Sequence, residues 1–246
     1  MVHDVGSGIH RIAVGNVSCY LVEDTDGVTL VDAGLPRAWG PFCRALDELG
    51  LGLDSVRAVV LTHGHFDHVG IAARLARRTG VPVWVHADDR HLAAHPFSYR
   101  REVNPLTYPV RHPRGLPGLA AVAAAGAPFV RGVQDCQVMA PGQVLDVPGR
   151  PVVVHSPGHT DGHCAVHLPE RDTLFTGDAL VTRDPYTGRA GPQIVSGAAT
   201  ASSRQAKDSL GALAETGAGL VLPGHGEPWV RGIGPAADIA RRRRLQ

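Results

Sequence analysis

An apolar run at residues 56–61 ends directly in Thr62-His63-Gly64-His65-Phe66-Asp67-His68, and this junction is the strongest constraint on the fold. A short run of that kind reads as a strand covered on both faces, and such strands belong to layered sheets with helices outside them. The histidine and aspartate cluster then falls in the loop at the strand's end, where a rigid sheet fixes geometry and a loop supplies chemistry. Three further motifs repeat this placement. Residues 151–155 run into Ser156-Pro157-Gly158-His159-Thr160, Leu174-Phe175-Thr176 leads into Gly177-Asp178, and residues 220–222 end in Pro223-Gly224-His225-Gly226.

Around these four strand ends the chain reads as alternating elements. Residues 16–23 and 28–31, separated by Asp26-Gly27, form a predicted hairpin. Ala38, Phe42, Ala45, Leu46 and Leu49 recur at helical spacing through residues 37–49, with Gly50 as the stop. Residues 69–78 read as a helix and 82–86 as the next strand, which completes a β-loop-α-β unit. In the second half, residues 163–168 and 173–175 read as short strands and 201–215 as a helix. A length of 246 residues suffices to bury one large core, so a single domain over residues 1–246 is expected.

Residues 96–142 stand apart. They are rich in Pro, Arg, Gly and Ala, show no strand alternation, and read as an inserted helical lid with one helix at 116–125. That helix places Leu116, Leu119, Ala120, Ala123 and Ala124 near one face, suited to packing over a cleft. Upstream, Phe97, Tyr99 and Tyr108 with Arg100, Arg101 and Arg111 offer groups to grip an acyl chain or a carboxylate.

Charge narrows the partners. Lys+Arg at 24 against Asp+Glu at 23 leaves a net charge of +1, so no field draws in nucleic acid or an acidic membrane surface, and a small-molecule substrate is expected. The first residues lack a basic start and an apolar stretch, which predicts a cytoplasmic protein without a secretory signal. Cys19, Cys43, Cys136 and Cys164 are widely spaced and form no CxxC pair, so neither a disulfide framework nor a cysteine zinc knuckle is predicted.

Histidine is the abundant functional residue, at 14 positions, several of them beside aspartate. Neutral imidazole and ionised carboxylate suit a borderline ion such as Zn²⁺, and a catalytic site keeps one coordination position open. A tight loop can send His63 and His65 to one metal while Asp67 and His68 face another. No Gly-x-Ser-x-Gly elbow is present to supply a serine nucleophile instead.

The four motifs, in that order after Leu30-Val31-Asp32-Ala33-Gly34, resemble the successive motifs of the metallo-β-lactamase-fold hydrolases over nearly the whole chain. The resemblance implies an α/β fold, a four-layer αββα sandwich with the metals at one edge where the sheets meet. It implies that His63, His65 and His159 hold one metal, that Asp67, His68 and His225 hold a second, and that Asp178 bridges them. Two zinc ions are expected, with iron or manganese as alternatives. Asp67 and Asp178 are the implied catalytic carboxylates, Asp32 resembles a carboxylate that supports the metal-binding loop, and His163 is a candidate outer contact.

By the same resemblance, two ions sharing a water produce hydroxide near neutral pH and polarise the carbonyl it attacks. Thioester or ester and lactone hydrolysis ranks first. Glutathione thioesterases of this type carry a substantial C-terminal helical region, and 21 residues follow His225 here, so strict glutathione specificity is not expected. A mononuclear iron persulfide dioxygenase-like oxidoreductase is the alternative. β-Lactam hydrolysis is a further one, and Asp178 at the bridging position argues against it. A non-catalytic binding module would tolerate lost ligand positions, and none is lost.

Overall fold

The computed structural model describes residues 2–244; Met1, Leu245 and Gln246, at the ends of the expected 1–246 domain, lie outside the described residues. A seven-stranded sheet is laid down in chain order: β1 (Val2–Gly6), β2 (Ile9–Val14), β3 (Val17–Asp24), β4 (Gly27–Val31), β5 (Val56–Val60), β6 (Val83–His86) and β7 (Gln137–Met139). The first four strands are antiparallel, and β4 to β7 are parallel. The connection from β4 to β5 carries α1 (Trp39–Glu48), and that from β5 to β6 carries α2 (Phe66–Val69) and α3 (Ala72–Thr79). Helices α4 (Arg90–Ala94), α5 (Tyr108–Arg111) and α6 (Leu116–Ala124) lie between β6 and β7.

A four-stranded sheet follows from β8 (Val152–His155), β9 (Cys164–Leu168), β10 (Thr173–Gly177) and, after the small hairpin β11 (Val181–Arg183) and β12 (Ala190–Gln193), from β13 (Leu220–Pro223). Its order is β13-β10-β9-β8, with β10 and β13 parallel. Helix α7 (Ser203–Glu215) returns the chain to β13, and α8 (Ile233–Arg242) follows it. No helix among the described residues is long and apolar enough to cross a membrane.

Side-chain alternation builds the layers. Successive strand residues face opposite sides, so Leu21, Leu30 and Val59 meet Phe42 and Leu46 of α1 and Leu75 of α3. Their neighbours Tyr20, Val22, Val31 and Val60 meet Val166, Phe175 and Leu222 of the second sheet. On its other face that sheet offers Leu174 and Val221 to Leu210 and Leu213 of α7 and Ala237 of α8. Helix, sheet, sheet, helix is thus the order of layers, as the αββα expectation required. Both sheets are covered on both sides, which is why their strands carry runs of Val and Leu.

The two sheets are tied at one edge by backbone hydrogen bonds. Cys164 N–H donates to Thr62 O and Ser18 N–H to Gly224 O, both at 2.8 Å, while Gly224 N–H bonds Gly177 O of the neighbouring strand in its own sheet at 2.9 Å. All four motif loops end at this edge.

Three expectations need correction. The helix predicted over residues 69–78 starts only at Ala72, after the short α2 ends at Val69, because Gly70 N–H bonds Gly34 O at 2.9 Å and Ile71 N–H bonds Ala33 O at 3.1 Å. The helix predicted from residue 201 starts at Ser203, where the Ser202 hydroxyl accepts from Gln205 N–H and caps the first turn. The segment 96–142 is not wholly an insertion: Gln137–Met139 is the seventh strand, paired in parallel with β6, and Met139 is fully buried. Three residues are too few to show alternation in sequence. The helix expected at 116–125 is present as α6, and none of its residues is buried. The four cysteines are free, as expected.

Candidate metal centre

All seven predicted ligand residues come together at the sheet edge, none more than 8% exposed. Their ligand atoms form three overlapping groups, each with all atoms within 4.8 Å: His63, His65, His159; His63, His68, Asp178; and Asp67, His68, His225. The histidine-rich loop after β5 supplies four of the seven, the β8–β9 loop His159, the end of β10 Asp178, and the end of β13 His225.

The cluster contains orphaned polar atoms. Nε2 of His63, His65, His68 and His225 and Oδ1 of Asp178 are buried and have no hydrogen-bond partner. Each such atom costs about 1–3 kcal/mol when left unpaired, so those of His63, His68, His225 and Asp178 make a poor apolar core and a good ligand set, while His65 turns its other nitrogen, Nδ1, towards His159. His65 Nδ1 lies 3.0 Å from His159 Nε2. Two nitrogens on one tetrahedral ion, each at about 2.0–2.1 Å, are separated by roughly 3.3 Å, so this spacing fits a shared cation. Asp178 Oδ2 lies 3.5 Å from His159 Nε2 and 3.2 Å from His225 Nε2, while its Oδ1 lies 3.5 Å from His68 Nε2. Asp67 Oδ2 is 3.3 Å from His225 Nε2.

Outer partners set the tautomers that turn these nitrogens inward. His68 Nδ1 donates to Asp32 Oδ2 at 2.8 Å, and His225 Nδ1 to Asn16 O at 2.9 Å. The Thr200 hydroxyl donates to Val195 O, so it accepts from His159 Nδ1 at 3.2 Å. The Thr62 hydroxyl donates to Asp32 and accepts from His63 Nδ1 at 3.1 Å. Asp32 is therefore both the strand-end cap and the loop support: it also accepts from Thr62 N–H at 2.8 Å, from a left-handed backbone with φ of 57°.

His163 proves to be an outer contact too. Its Nε2 accepts from Asp178 N–H at 3.1 Å while Nδ1 donates to Ser156 Oγ at 2.9 Å, which fixes the backbone that presents Asp178. Its position four residues after His159 was the available signal. Three residues near the centre had none that singled them out. Asp89 binds both metal-site loops from the turn after β6. Thr200 orients His159, and Tyr186 places its hydroxyl 3.5 Å from that of Tyr99.

Electrostatics divide the cluster. Burial disfavours imidazolium throughout. It pushes His65 and His159 down to about 3 and holds His63 well below the ordinary histidine value, with the surrounding imidazoles adding to the shift of His63. For His68 burial acts the same way, but the carboxylates of Asp32 and Asp178 outweigh it and hold its pKa well above the usual value. Burial is likewise outweighed at His225, which Asp178 and Asp67 raise to about 10. Asp178 is the counterpart: burial opposes its charge, yet His225 and His68 hold it well below the usual carboxylate range. His63, His65 and His159 thus present neutral nitrogens, whereas in the metal-free protein His68 and His225 carry protons that a cation must displace.

Comparison with known proteins agrees with this geometry. The family model "Metallo-beta-lactamase superfamily" matches residues 12–225, which enclose every residue of the centre. The uncharacterized protein ML0493 of Mycobacterium leprae is 32% identical over 85% of this chain and 86% of its own length. The probable metallo-hydrolase YflN of Bacillus subtilis is 28% identical over 73% of this chain and 66% of its own. The hydroxyacylglutathione hydrolase GloC of Haemophilus influenzae is 29% identical, covering 66% of each chain. Among solved structures, the metallo-beta-lactamase family protein TTHA1429 of Thermus thermophilus aligns with a TM-score of 0.69 at 25% identity, over 95% of this chain and 78% of that one. TTHA1623 in a di-iron-bound form aligns with a TM-score of 0.61 at 27% identity, over 91% and 93%. With the matched region, the layer order and the converging ligand atoms in agreement, the chain belongs to the metallo-beta-lactamase superfamily and is a metal-dependent hydrolase with a divalent metal site.

Proposed function

We propose that the protein is a dinuclear zinc hydrolase of thioesters or of esters and lactones, with His63, His65 and His159 holding one ion, Asp67, His68 and His225 the other, and Asp178 between them. The observation that carries this reading is the position of Asp178, whose Oδ2 reaches the His159 nitrogen of one group and the His225 nitrogen of the other. The name of the Haemophilus influenzae relative, hydroxyacylglutathione hydrolase, supports acyl transfer to water. Bound divalent ions supply water of lowered pKa and a Lewis acid for a carbonyl oxygen. The chain's own part is to hold the ligands, exclude bulk water by burial, and place Asp67 where its carboxylate can orient the attacking water and take up its proton. Metal quantification by mass spectrometry, followed by initial rates on matched thioester, lactone, phosphodiester and β-lactam panels, tests the reading. Two zinc ions per chain with the highest kcat/KM on a thioester or lactone is the expected result, and a preference for phosphodiesters or β-lactams would overturn the substrate assignment.

The same proposal assigns the chain before β7 to a substrate lid on the single domain. Phe97 stacks on Phe66 at 5.1 Å between ring centroids, and the Tyr99 ring lies 4.3 Å from that of His65, so residues named from sequence as grips stand beside the ligands. A cavity of about 160 Å³ next to His159 is lined by Tyr99 and Arg100. Replacing Leu116–Ala124 with a Gly/Ser linker, while sparing the buried Ala125, is expected to leave zinc content unchanged and to reorder the substrate panel. An unchanged order would show that this helix does not select substrate.

A further inference from the structure

Asp89 is a buried carboxylate outside the ligand groups. It closes the short turn after β6 and is 1% exposed. The donors it meets are neutral: Oδ2 accepts from Gly64 N–H at 2.9 Å and from the Thr160 hydroxyl at 2.8 Å, and Oδ1 accepts from Gly162 N–H at 2.9 Å. Burial pushes the Asp89 carboxyl above the usual carboxylate range, and the hydrogen bonds from Thr160, Gly64 and Gly162 oppose that shift.

Those three donors belong to two loops from different sheets. Gly64 lies between His63 and His65 in the loop after β5, whereas Thr160 and Gly162 follow His159 in the β8–β9 loop. Strand pairing registers residues only within a sheet; across the sheets these two loops share the backbone bond from Cys164 N–H to Thr62 O, to which the Asp89 side chain adds three more. Each loop packs closely enough against the segment formed by Asp89 and α4 to require glycine. A Cβ on Gly64 would meet Ala93 N at 2.6 Å, and one on Gly162 would meet Asp89 N at 2.7 Å. Beyond this tie, His65 Nδ1 and His159 Nε2 stand 3.0 Å apart.

We infer that Asp89 is the positioning residue for the metal held by His63, His65 and His159, acting by locking the two loops that carry them into one register. Asp32, by contrast, grips His68 directly and reaches His63 only through the Thr62 hydroxyl. The division predicts that loss of Asp89 weakens one ion and spares the other.

The test is zinc affinity, measured by competition with a chromophoric chelator on the purified full chain as wild type, Asp89→Asn and Asp89→Ala. Removing an outer contact of this kind typically lowers metal affinity by about 10–100-fold, so Asp89→Ala is expected to weaken one of the two ions by that factor and leave the other within about twofold. Asp89→Asn keeps an acceptor oxygen and should fall between. In a His159→Ala background, where the first group is already broken, Asp89→Asn should have no further effect. Equal weakening of both ions, or unchanged binding, would overturn the inference. If Asp89→Ala fails to fold, Thr160→Val removes one of the three hydrogen bonds, and a smaller loss at the same ion is expected; no loss there counts against the inference. The inference rests on the dinuclear reading: a wild-type chain that binds no zinc refutes that reading, whereas two tight ions indifferent to Asp89 refute this inference alone.

Discussion

Chelation should abolish hydrolysis completely, and added zinc should restore it. In the metal-free chain five buried polar atoms of the centre make no hydrogen bond, and Asp67 and Asp178 face the imidazoles of His68 and His225 at 3.2–3.5 Å. Nothing in that state activates water for attack on a carbonyl. The pH dependence should be two-stepped. His68 and His225 have raised pKa values in the metal-free protein, His225 to about 10, so they are protonated at neutrality and a cation must displace those protons. As pH falls, proton competition grows first in the group that contains them. His65 and His159, at about 3, stay neutral until far stronger acid, and their group keeps its ion longer. Dialysis at stepwise lower pH, with metal counted per chain, is expected to pass from two ions through one to none. Simultaneous loss of both ions would contradict the division of the site, and full activity without metal would sink the metallohydrolase reading.

Asp67→Asn is expected to lower kcat on the order of 10²-fold or more with the fold intact. Asp67 sits in the first turn of α2 and is the most accessible of the seven ligand residues, at 8% exposure. Burial opposes its charge, but the His225 imidazole 3.3 Å away and the charge of His68 keep its pKa below the usual carboxylate value, so it is ionised throughout the working range. Asparagine keeps the shape and removes both the charge proposed to bind the second ion and the site proposed to accept a proton from water. His63, His65 and His159 do not contact this change through any hydrogen bond and should retain their ion. Rates must be compared at matched metal loading, because weakened binding alone would mimic a chemical defect. Wild-type turnover under that condition would refute the catalytic role of Asp67.

The metal centre was legible because ligands must be specific residue types at strand ends. His63, His65, Asp67 and His68 are sequence neighbours, and His159, Asp178 and His225 each follow a short apolar run that a sheet buries. The outer contacts were less legible in proportion to their distance along the chain. Asp32 and His163 lie in or beside motifs and were candidates. Asp89 and Thr200 carry no pattern, since a buried aspartate next to the exposed Asp88 looks like any surface pair until the β6 turn folds against two loops. Strand β7 was missed for a related reason. Its identity as a strand comes from pairing with β6, and three residues hold too little alternation to announce it.

Local chemistry and periodicity in the sequence determined the ligand types, the strand-end loops and the covered character of the sheets. Tertiary structure decided which nitrogen of each histidine faces inward, which histidines keep their protons, and which outer residues hold the ligands in place. The physical reason is that tautomer, pKa and outer contacts depend on distances of about 3 Å between groups far apart in the chain. Such distances are set by the packing of one sheet against the other, and no single segment encodes them.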